Sequence, residues 1–94
     1  MTEKEILLGV ASLIDKFGLM KGRYGNDFEG FCILGAFHET IKYLDWSAPD
    51  TKIVSSNAID MLKNDIGDIP EWNDKWYRTK WGVVKRLRKI ANKL

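Results

Sequence analysis

Two stretches near opposite ends of the chain repeat their apolar residues at the helical period, and this commits the fold to packed helices. Ile6, Leu7, Val10, Leu13, Ile14 and Phe17 form one stripe, and Val83, Val84, Leu87, Ile90, Ala91 and Leu94 form the other. Spacing of this kind puts the apolar side chains on one face of a helix, where a neighbour can bury them. Thr2-Glu3-Lys4-Glu5 is a capping box, with the threonine oxygen closing the first turn. Gly18 supplies a left-handed stop, so the first helix is expected from Glu3 to Phe17. Cys32, Ile33, Ala36, Phe37, Ile41 and Leu44 keep the same period, in a helix expected to be capped by Asp27 and to end near Asp45. Ser47-Ala48-Pro49-Asp50 reads as a further start, with proline in the first turn. Val54, Ala58, Ile59 and Leu62 follow it, Gly67 closes it, and the run Ile53-Val54-Ser55-Ser56 weakens it near its beginning. Thr79 is the expected cap of the last helix. Residues 18–31 and 68–80 read as loops, with strand only as a short piece of one of them. The expectation is an all-α chain: one compact four-helix domain over residues 1–94 with two long contact-bearing loops.

At 94 residues, 45% apolar and 30% charged, such a domain has a thin core. No apolar run approaches the roughly 20 residues of a membrane helix. The acidic, polar start is not that of a secretory signal. Cys32 is the only cysteine, which excludes an intramolecular disulfide and suits a reducing compartment; the expected location is cytoplasmic. The net charge of +2 hides a split. Residues 1–74 hold all thirteen acids and seven cations, whereas residues 75–94 hold eight cations and no acid. A block of one sign usually marks an interaction surface, although cations also suit the negative end of a helix.

No motif names a reaction, and no cofactor is expected. Cys32 and His38 are six residues apart, which on a helix leaves the two side chains well separated around the axis. A buried, inert thiol is the stronger reading, and one cysteine with one histidine does not complete a metal shell. The loop Lys21-Gly22-Arg23-Tyr24-Gly25-Asn26 has glycines that let backbone amides converge on an anion, two cations and a stacking ring. It lacks the glycine-lysine-serine/threonine ending of a nucleoside-triphosphatase loop, and a plain connection remains the simpler reading. Glu71-Trp72-Asn73-Asp74-Lys75-Trp76-Tyr77-Arg78 interleaves aromatics with cations. That is the pattern for stacking a base beside a phosphate and also that of a protein hot spot. Trp76, Tyr77 and Trp81 exceed what so small a core can bury. On the last helix, Lys85, Arg86, Arg88, Lys89 and Lys93 stand opposite the apolar face. They suit phosphates or an acidic partner, but the segment lacks a helix-turn-helix spacing and Asn92 is the only Asn or Gln among its outward residues, so sequence-specific DNA recognition is not expected.

Gly30-Phe31-Cys32-Ile33-Leu34-Gly35-Ala36 resembles a Gly-x-Cys-x-x-Gly-Ala signature, followed by a Trp-Asn-Asp turn at Trp72-Asn73-Asp74, then Thr79 and the Val83 to Leu87 helix. Together these resemble a small uncharacterised family of bacteria and their phages. The resemblance implies an architecture and no chemistry. The chain departs from the pattern at Gly18-Leu19-Met20, where a tryptophan is expected.

The expected function is non-enzymatic binding of an anionic partner. The first candidate is a nucleotide-like molecule held by Lys21, Arg23, Tyr24, Trp72, Asn73, Asp74, Lys75, Trp76 and Arg78. A phage-encoded module of this kind would sequester a host defence signal. The alternatives are an inhibitor or adaptor docking through Lys85, Arg86, Arg88 and Lys89 on an acidic or nucleic-acid-binding protein, and non-specific nucleic-acid binding. No membrane partner is expected, and the surplus aromatics favour a homo-oligomer.

Overall fold

A computed structural model of the protein describes residues 2–22, 24–26, 29–43 and 49–94. The chain is mostly helical, with helices α1 (Glu3–Phe17), α2 (Ile33–Tyr43), α3 (Pro49–Ile66), α4 (Ile69–Asn73) and α5 (Lys80–Ala91). Strands β1 (Gly25–Asn26) and β2 (Gly30–Phe31) form a two-stranded antiparallel ladder that pairs Gly25 with Phe31 and Asn26 with Gly30.

Helix α1 begins where its capping signal lies: Thr2 Oγ1 accepts the Glu5 N–H at 3.2 Å. It ends at Gly18, whose N–H reaches the Ile14 carbonyl and whose φ is +100°. Ile6, Leu7, Val10, Ala11 and Ile14 are fully buried, because α1 packs against α5, α2 and α3. Each large aliphatic side chain buried this way contributes about 1.5–3 kcal/mol. The approach of α2 depends on Gly9: a Cβ there would meet Thr40 Cγ2 at 2.7 Å. Helix α5 starts at Thr79, whose Oγ1 accepts the Gly82 N–H at 3.1 Å. Its buried face is Val83, Val84, Leu87, Ile90 and Ala91. Lys80 Nζ donates to the Asp15 carbonyl at 3.2 Å, putting a cation on one of the carbonyls that the end of α1 leaves without a helical partner.

Two expected boundaries are corrected. The segment 68–80 is not a loop throughout, because Asp68 caps α4 by accepting the Glu71 N–H at 2.9 Å, with Pro70 in the first turn. Helix α2 starts at Ile33 rather than near residue 27, because the chain at Gly30 (φ +91°) is still in the strand pair. Its first turn is capped by Cys32, whose Sγ accepts the Gly35 N–H at 3.3 Å. Asp27, the expected cap, lies outside the described residues, as do Leu44, Asp45, Ser47 and Ala48. Helix α3 runs unbroken through Ile53–Ser56 and stops at Gly67, φ +81°.

Candidate functional site

The glycine loop and the Trp-Asn-Asp turn meet, and Asn73 joins them. Its side chain is buried. Its Oδ1 accepts the Ile33 N–H at 3.0 Å, and its Nδ2 donates to the Met20 carbonyl and to Asp74 Oδ1, both at 3.0 Å. Asp74 Oδ1 also accepts the Gly22 N–H at 3.0 Å. Lys21 Nζ reaches the other way, donating to the carbonyls of Lys75 at 2.7 Å and Trp76 at 3.2 Å. Gly35 lets the loop lie on the first turn of α2, since a Cβ there would be 2.1 Å from the Tyr24 carbonyl oxygen.

These contacts leave a cleft of about 420 Å³ between the loop and α4, lined by Gly22, Tyr24, Cys32, Leu34, Ile69, Pro70, Asn73 and Asp74. Its electrostatics follow from the hydrogen bonds. The Asn73 amide, with the Gly22 N–H behind it, holds the Asp74 carboxyl below its ordinary range; slight burial opposes this and the Lys21 ammonium adds to it. Burial pushes the Cys32 thiol up despite the Gly35 N–H, and the Asp74 charge adds to the rise. The thiol is therefore protonated at neutral pH and a weak nucleophile. His38 lines a different cavity, of about 490 Å³, with Glu39, Phe37 and Ile59; Tyr24 and Leu34 belong to both.

Of the residues expected to hold a nucleotide-like ligand, Tyr24, Asn73 and Asp74 line this cleft. The other described ones are placed elsewhere. Arg78 Nε donates to the Trp72 carbonyl at 2.8 Å, and its guanidinium stacks 3.7 Å from the Trp72 ring centre. Trp72 and Lys75 share a small recess with Asp68 and Glu71, and Lys75 Nζ lies 3.7 Å from the Glu71 carboxylate. Trp76 points to solvent, 88% exposed. Arg23 lies outside the described residues. The loop cations are dispersed for a physical reason: α4 is short, and carbonyls around it without a helical partner draw in Lys21 and Arg78.

The basic face of α5 is similarly divided. Arg86 pairs with Asp65 of α3, and Arg88 with Asp15 of α1 at 3.3 Å. Lys85 and Lys89 are exposed. With Trp81, Val84, Arg88 and Asn92 they line a groove of about 480 Å³ along the helix. Trp81 is 66% exposed. In the turn that precedes this helix, Trp76 and Tyr77 meet edge to face at 5.7 Å. Trp81 is absent from the residues expected to bind, yet the sequence carries its signal: it lies four and eight residues before Lys85 and Lys89, on one helical stripe. The apolar cleft residues Leu34, Ile69 and Pro70 carry no comparable signal.

Among the described residues no cluster of His, Cys, Asp and Glu could hold a metal ion, and no helix is long and apolar enough to cross a membrane. The model of a family of unknown function, DUF6197, matches residues 1–93. No curated protein and no solved structure matches the chain.

Proposed function

We propose, from the premise that the chain belongs to DUF6197, a family of unknown function, that it is a non-enzymatic binding protein for an anionic, nucleotide-like molecule. The observation that carries this reading is the α5 groove. Trp81 offers an exposed stacking surface, and Lys85, Arg88 and Lys89 lie along the same stripe. A base on the indole face would bring its phosphate over the lysines one and two turns further on. Stacking of this kind is worth about 1–3 kcal/mol per base. The groove, about 480 Å³, falls within the range that small-molecule sites occupy. The cleft beside Asp74 suits such a ligand less, because a carboxylate held ionised there repels phosphate.

Titration with adenosine monophosphate, followed by tryptophan fluorescence, tests this. Saturable quenching is expected, lost in Trp81→Ala and weakened about tenfold in the Lys85→Glu, Lys89→Glu double variant, a factor that corresponds to about 1.4 kcal/mol. Adenosine, which lacks phosphate, should bind more weakly. Equal quenching by both compounds, or none at low salt by the nucleotide and by a short single strand, overturns the reading.

A second reading has an acidic protein surface on the same face. Trp76 favours it, because this exposed ring, edge to face with Tyr77, is a further aromatic surface outside the lining of the helical groove. In that case Trp76→Ala weakens partner capture and leaves nucleotide quenching alone.

A further inference from the structure

The cleft between the glycine loop and α4 is not used by the α5 reading and has the opposite polarity. Among the described residues that line it, Asp74 carries the only charge. Both described donors to that carboxylate, the Gly22 N–H and Asn73 Nδ2, meet Oδ1. They fix the group's orientation, and among the described residues none donates to Oδ2. Asn73 is an unsuitable selector, because its Oδ1 and Nδ2 are already engaged by Ile33, Met20 and Asp74. The Cys32 sulfur is held by the Gly35 N–H. The rest of the wall is apolar: Leu34, Ile69 and Pro70, with the exposed Tyr24 ring at the side.

We propose that this cleft binds a small organic cation, an aryl- or alkylammonium, with its ammonium on Asp74 and its apolar body against Leu34, Ile69, Pro70 and the face of Tyr24. A carboxylate oriented by neutral donors attracts an ammonium; no cation is among the described residues of the lining, and the Lys21 ammonium, which also acts on Asp74, is drawn to the Lys75 and Trp76 carbonyls. An aromatic face beside a cation adds a second attraction that a neutral analogue lacks. The cleft, at about 420 Å³, lies within the range of small-ligand sites. A metal ion is disfavoured, since one carboxylate supplies too few of the oxygen ligands such ions require.

The test uses benzylamine as the probe, with benzyl alcohol and benzoate as its neutral and anionic counterparts, and follows the backbone amides by ¹H–¹⁵N NMR. Benzylamine should shift the Gly22 amide and the Asn73 side-chain amide saturably, with a Kd on the order of 1 mM for so small a ligand. Benzyl alcohol should bind about tenfold more weakly, as the loss of one charged contact implies, and benzoate should produce no shift at these amides. Asp74→Asn keeps an oxygen for both donors and removes the charge, so it should weaken benzylamine about tenfold while leaving benzyl alcohol unchanged. Tyr24→Leu, at an exposed position, should weaken benzylamine several-fold and serves if the Asp74 variant does not fold. Equal affinity for the amine and the alcohol, binding of benzoate, or no saturable amine shift at tens of millimolar overturns the proposal.

Discussion

Asn73 holds together three segments that are far apart in sequence: the glycine loop at Met20, the start of α2 at Ile33 and its own turn at Asp74. Asn73→Asp replaces the amide that faces the Met20 carbonyl with a second carboxylate beside Asp74. It should lower unfolding free energy by about 2–3 kcal/mol, the cost of leaving buried polar groups unmade, as read from urea denaturation. Asp74 makes a separate prediction. Its folded pKa is depressed, so its contribution to stability is fully present above the ordinary carboxylate value and is lost as pH falls through the lower folded value. Thermal melts from neutral to strongly acid pH should show this loss in the natural chain, and the Asp74→Asn chain should lack that component. The Trp72-Asn73-Asp74 turn was legible in the sequence as part of a signature, and it was expected to share a ligand with the glycine loop. Its partners were not, because Asn73 bonds residues 40 and 53 positions away, and spacing along the chain carries no information about such pairs. Tyr24, Asn73 and Asp74 were singled out from the sequence, and the structure brings all three into the lining of one cleft. The engagement of Lys21 and Arg78 by backbone carbonyls was not, since any lysine or arginine in a loop looks available.

At the scale of elements, the long periodic helices were the most readable, and the caps at Thr2 and Thr79 set their starts. The five-residue α4 is too short for a period to declare itself, and Asp68 and Pro70 were its only local signals. Helix packing was hidden for the same reason as the Asn73 bonds. Gly9 lies on the α1 surface that α2 approaches, and its missing side chain matters only because Thr40 is opposite. Gly9→Ala should gain about 1 kcal/mol in helix propensity and lose about 1–3 kcal/mol to overpacking. The net expectation is a lower urea midpoint. Thr40→Ser removes the offending Cγ2 and keeps a hydroxyl able to bond the Ala36 carbonyl, as Thr40 does at 2.7 Å. Adding Gly9→Ala to Thr40→Ser should therefore be neutral or stabilising. A Gly9→Ala penalty that persists unchanged beside Thr40→Ser would sink the packing account.

For the whole molecule, the sequence split in charge becomes an attraction between parts of the fold. The basic segment 75–94 docks on a chain that holds all the acids, and Arg86–Asp65 and Arg88–Asp15 are its visible contacts. Half of the cations expected to meet a partner thus meet this chain instead. Raising salt from about 0.02 M to about 0.5 M should lower unfolding free energy by about 0.5–1 kcal/mol through screening of these exposed pairs, and Asp15→Asn with Asp65→Asn should flatten that dependence. An increase in stability with salt would contradict it. The arrangement also orders events in time. Helix α1 packs against α2 and α3 but most extensively against α5, the helix made last among those described, so a chain growing from a ribosome would carry part of the α1 apolar stripe uncovered until α5 is made. The core closes by joining segments some seventy residues apart, and that closure must precede the gain from burial. The nascent form is therefore a stickier molecule than the finished one, and exposed to chaperones and proteases at a moment that the completed fold conceals.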